Sequence, residues 1–156
     1  MIVAGFGVLN LCGCAGKADE PKKDESSFKA DFELGELRVL DAIDYDELLE
    51  ASRGVALARL DYSVELSGDE DRDALFDFND FTVYQNGVRL DVLGEVSNGE
   101  SDDPDYAPAL DETIRAGYSY DSHVFIFLKD TDSDIDVEVM PYGDENQLVK
   151  KTYSLK

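Results

Sequence analysis

Polar and apolar residues alternate along much of this chain. From Ala56 to Leu66 every second position is apolar: Ala56, Ala58, Leu60, Tyr62, Val64 and Leu66. Arg59, Asp61, Ser63 and Glu65 fall between them. A period of two is the mark of a strand with one buried face. Tyr118, Tyr120, Val124, Ile126 and Leu128 form a second such run, and Ile135, Val137 and Val139 a third. Shorter apolar pieces at 37–43, 81–85, 88–93 and 148–155 predict further strands. Asn86-Gly87 between two of them predicts a hairpin, because both residues accept positive φ. Polar turns are predicted at 129–134 and at Pro141-Tyr142-Gly143-Asp144. One short helix is predicted from Asp46 to Arg53, with Leu48 and Leu49 as its apolar face and Gly54 as its stop. Residues 71–78 fit a helical turn or a strand, and the acidic stretch 97–111, with Pro104 and Pro108, fits neither. About seven short strands with frequent turns predict an all-β antiparallel sandwich, with a partly open barrel as the alternative. Tyr62, Phe81, Tyr120 and Phe125 or Phe127 are the expected aromatic core.

The amino end reads differently. An apolar run from Ile2 closes on Leu11-Cys12-Gly13-Cys14. It is shorter than the roughly 20 apolar residues of a spanning helix and suits a signal-peptide core. The closing tetrapeptide resembles a bacterial lipobox, in which Cys14 takes the lipid through a thioether. No Lys or Arg precedes the run, so the leader is expected to begin upstream of Met1. Residues 1–13 are thus read as an incomplete lipoprotein signal, and residues 14–31 as a charged linker. Lys22-Lys23-Asp24-Glu25-Ser26-Ser27 offers nothing apolar to bury and is expected to stay unfolded. The β domain is expected from Phe32 to the end. Both cysteines lie in the leader, so no disulfide framework is expected in the domain.

Leader, linker and strands together resemble lipoproteins of Gram-positive bacteria that carry an immunoglobulin-like domain of unknown function, the telomeric-repeat-factor-like type. The run Phe81-Thr82-Val83-Tyr84-Gln85-Asn86-Gly87-Val88-Arg89-Leu90 is similar to that family's aromatic strand and hairpin. Ile114-Arg115-Ala116-Gly117 stands where the family has a Pro-Gly turn, with Ala116 in place of the proline. Residues 130–137 resemble its polar turn and following strand. The resemblance implies an immunoglobulin-like sandwich anchored outside the membrane, and no catalytic residues.

Charge narrows the function. Fourteen basic and 36 acidic residues give a net charge of −22. Phosphate backbones need the opposite sign, so no nucleic-acid partner is expected. Such acidity keeps a protein soluble, or else draws a cationic partner or divalent ions. Asp130, Asp132 and Asp134 are candidate ligands for calcium. An EF-hand is excluded, because its sixth and twelfth places hold Ile135 and Pro141 instead of Gly and Glu. Asp121-Ser122-His123 holds the residue types of a hydrolytic triad, but neighbours on a strand point to opposite faces. With one His and no second reactive group, no catalytic residues are assigned and no cofactor is expected. Tyr106 and Tyr142 lie in polar stretches and are candidate ligand-binding residues. The favoured reading is a non-enzymatic, lipid-anchored module on the outer face of the cytoplasmic membrane that binds an envelope protein or peptide. A calcium-binding lipoprotein is the alternative, and a carboxylate hydrolase the second alternative.

Overall fold

The computed structural model describes residues 29–41, 46–74, 79–94, 104–109 and 112–156. Among these residues ten strands and one α-helix follow in order. They are β1 (Lys29–Val39), α1 (Asp46–Ser52), β2 (Ala56–Ser67), β3 (Arg72–Asp73), β4 (Asp80–Gln85) and β5 (Val88–Arg89). Then come β6 (Val92–Leu93), β7 (Thr113–Ile114), β8 (Ser119–Leu128), β9 (Ile135–Met140) and β10 (Val149–Tyr153). Two four-stranded antiparallel sheets run β1-β2-β8-β6 and β10-β9-β4-β5, and β3 pairs with β7 apart from them. Lettered along the chain, with β3 and β7 left aside, these orders become A-B-E-D and G-F-C-C′. That is the strand order of an immunoglobulin-like sandwich.

The alternating positions do what their period demands. Leu60, Tyr62, Val64, Phe81, Val83, Val124, Ile126, Ile135, Val137 and Val139 interleave between the sheets. Phe32 stacks on Tyr62 at 4.9 Å, and both rings meet Phe81. The hairpin forms as expected, with Asn86 at φ 52 and Gly87 at φ 74.

Four expectations are corrected. The first strand takes in Lys29, Ala30 and Asp31, residues that the charge pattern gave to the linker; Ala30 is buried and its N–H donates to the Gln147 side chain. That strand ends at Val39 instead of spanning 37–43. The apolar run 88–93 is two strands in different sheets, because the chain crosses the sandwich between them. The helix stop is a Schellman turn: Gly54 N–H reaches Leu49 O and Arg53 N–H reaches Glu50 O. Arg53, at φ 55, takes the left-handed position of that turn, one residue before the expected stop at Gly54.

A register shift between Leu34 and Leu37 puts a bulge into β1. The carbonyls of Leu34 and Gly35 turn toward the other sheet, where Lys151 Nζ donates to both and Tyr153 OH donates to Gly35. A bulge, a lysine and covering side chains are the usual guards of a sheet edge. The long edge strand is therefore a poor template for strand addition.

Candidate functional site

The outer face of the first sheet changes character along its strands. Its rungs follow from the register of β1, β2 and β8. Leu57 and Phe127 form one rung, and Arg38, Arg59 and Phe125 the next. Then come Asp61 and His123 beside the bulge, then Glu33, Ser63 and Asp121, then Asp31, Glu65 and Ser119. In an ordinary sandwich this face is polar throughout. Here its first rungs form a second apolar cluster, Leu57, Phe125 and Phe127 with Leu40 and Tyr106, against which Leu49 and Leu93 pack. The unbroken apolar run 124–128 is the sequence sign of a strand covered on both faces.

A strap, residues 104–109, lies over this cluster. Arg59 donates to Pro104 O at 2.6 Å and Arg38 to Asp105 at 3.0 Å. Tyr106 OH donates to Asp41 O, and Ala109 N–H reaches Gly94 O at 2.7 Å. His123 Nε2 donates to Ala107 O at 2.7 Å, which fixes the proton on that nitrogen. The His123 ring is 7% exposed and stands edge-on to Phe125. Burial holds its pKa below the ordinary value, against the opposing pull of the Ala107 carbonyl.

Beyond the strap the face is open. A cleft of about 570 Å³ lies there, bordered by Glu33, Gly35, Arg59, Asp61, Asp121 and His123. Two small residues make the hollow. Ser63 sits at its centre on the middle strand, and Gly35 on the bulge carries no side chain. A Cβ on Gly35 would lie 3.0 Å from the Asp61 carbonyl oxygen, so the backbones approach closely there. Arg59 and Arg38 both pair with Asp61. Glu33, Glu65 and Asp121 are exposed, and among the described residues no ion pair or hydrogen bond engages their carboxylates.

The candidate metal and ligand-binding residues read from the sequence sit elsewhere. Asp130 is an architectural group. Its Oδ1 accepts from the N–H groups of Asp132 (3.0 Å) and Ser133 (2.7 Å). Its Oδ2 accepts from Ser133 Oγ and Asn86 Nδ2. The backbone bond from Ser133 leads the donors that hold its pKa low. A carboxylate has about four acceptor sites, so this one is full. Asp132 and Asp134 are exposed beside it, and no cluster of three metal-binding side chains occurs among the described residues. Tyr106, expected in a polar loop, is buried at 5% exposure in the apolar cluster. Tyr142, at φ 51, is half-buried and gives its proton to Asp73 O at 3.0 Å. Its oxygen therefore accepts from Tyr120 OH at 3.0 Å. Burial raises the pKa of both tyrosines. Ser122 faces inward against Tyr62, away from Asp121 and His123, as the pleat requires. Cys14 lies outside the described residues.

No protein-family model matches the chain, and no curated protein matches it by sequence. Among solved structures it is similar to the crystal structure of "a putative lipoprotein (ycdA) from Bacillus subtilis", with a TM-score of 0.58 at 18% identity. The likeness covers 80% of this chain and 36% of that one, so the chain spans about a third of its neighbour's length. At that identity the likeness is one of fold.

Proposed function

We propose that the chain is a lipid-anchored module on the outer face of a bacterial cytoplasmic membrane. It binds an envelope protein or peptide and performs no chemistry of its own. The observation that carries the binding reading is the open, concave half of the first sheet's outer face. The other half of that face is closed by the strap and helix. His123 is engaged in holding the strap, Asp130 and Gln85 a turn, and Tyr120 and Tyr142 each other. The anchor reading comes from the lipobox at Cys14, and the description of the structural neighbour as a lipoprotein agrees with it.

Two measurements test the two parts. Cells fed an alkyne fatty acid label the wild-type chain and leave Cys14→Ser unlabelled; unlabelled wild-type protein in the cytosol overturns the anchor. Ser63→Trp fills the cleft and loses the partner that cross-linking recovers from intact envelopes. Unchanged recovery by that variant overturns the binding site.

A further inference from the structure

We propose that the open half of this face docks a basic polypeptide segment, rich in lysine or arginine, lying across β1, β2 and β8. The inference rests on the reading of this face as the binding surface and adds the chemistry of the partner.

Charge complementarity on one sheet face carries it. Glu33 and Asp121 flank Ser63 on a single rung, and Asp31, Glu65 and Ser119 form the next. Strands lie about 4.8 Å apart and alternate rungs about 6.7 Å, so the carboxylate-bearing positions share a patch of roughly 10 by 7 Å. Among the described residues Asp31 alone within it has a cation beside it, Lys29. The face's own arginines cannot neutralise the rest. Arg59 is held by Asp61 and Pro104 O, and Arg38 by Asp61 and Asp105. A net charge of −22 adds a field that attracts cations and repels anionic partners.

Shape favours an extended, long-side-chain partner over a compact ion. Gly35 and Ser63 leave room for an alkyl stem at the centre, with carboxylates at both sides for its charged head. Strand addition is disfavoured, because the β1 bulge and its cover by Lys151 and Tyr153 guard that edge. The partner therefore lies on the face and is recognised by side chains.

Calorimetric titration of the full chain with octalysine, with octaglutamate as control, tests this at low and high salt. Octalysine binds, octaglutamate does not, and added salt weakens the binding. The variant Glu33→Gln/Glu65→Gln/Asp121→Asn binds roughly tenfold more weakly, since each exposed pair adds a modest increment. Asp69→Asn/Asp132→Asn/Glu145→Gln removes the same charge from exposed sites elsewhere and stays within about twofold of wild type. Equal losses in the two variants mean that net charge alone attracts the peptide, and overturn the proposal. So does wild-type protein that ignores octalysine. If Ser63→Trp still releases the envelope partner in that case, the face stands as a binding surface and only the basic chemistry falls.

Discussion

The side chain of Gln85 and the backbone of Asp130 bind each other twice. Gln85 Nε2 donates to Asp130 O at 3.0 Å, and Gln85 Oε1 accepts from Asp130 N–H at 3.1 Å. The same amide also donates to Ser133 O and accepts from Lys129 N–H. All four of its hydrogen-bonding sites are thus used, at 1% exposure. It stitches the end of β4 to the turn between β8 and β9. In immunoglobulin domains a tyrosine corner secures this region. Gln85→Leu keeps the volume and strands four partly buried backbone groups. It is expected to cost about 3 kcal/mol in urea unfolding, and a loss below about 1 kcal/mol contradicts this role.

Asp130 belongs to the same turn. Its pKa is held low by the N–H groups of Ser133 and Asp132. A depressed carboxyl pKa adds stability above the unfolded value, and that stability is lost as pH falls through the folded one. Asp130→Ala should therefore remove an acid-side component of the stability curve below about pH 4. Its oxygens being occupied, millimolar calcium should leave the melting temperature of wild type unchanged. A rise of several degrees contradicts the geometry and restores the calcium reading of Asp130, Asp132 and Asp134.

His123 also loses stability on the acid side, but because its charged form is disfavoured where that of Asp130 is favoured. Burial leads, and nearby Arg59 and Arg38 add to, the lowering of its pKa from 6.5; Ala107 O and Asp61 oppose it. The unfolded chain therefore takes up this proton more readily than the folded one. Stability is full above pH 6.5 and falls as pH drops from there to the folded pKa. Denaturation series between about pH 7 and about pH 5 should show this slope in wild type and lose it in His123→Phe. A flat wild-type profile contradicts a neutral, strap-holding His123.

How much of this was legible in the sequence depends on what each residue's role looks like in one dimension. Period-two runs named β2, β8 and β9 because a buried face imposes that period directly. Asn86-Gly87 named the hairpin because its φ demands are local. The strap and the second apolar cluster were not foreseen. Leu57 breaks the alternation of β2 and the run 124–128 ignores it, yet nothing local says what covers them. Tyr106 looked exposed because its neighbours are polar, while its ring reaches a cluster far away in sequence. The cleft was least visible, because it arises from a glycine on one strand and a serine on another brought together by register. A break in spacing from Leu34 to Leu37 was the only local sign of the bulge.

Gly35 links the bulge to that cleft. Gly35→Val pushes a side chain against the Asp61 carbonyl, where even Cβ would lie 3.0 Å away. The backbone must yield, at a cost of roughly 1–2 kcal/mol in urea unfolding. The same change fills the hollow beside Ser63, so partner binding should fall by more than the stability loss explains. Full stability and full binding together would contradict the close approach.

The central claim is that partners meet the outer face of the first sheet. A photo-reactive residue at Ser63, on that face, and another at Lys150, on the outer face of the opposite sheet, test it in intact cells. A discrete cross-linked product is expected from position 63 and none from position 150. Matching products from both positions, or a product from 150 alone, would contradict it.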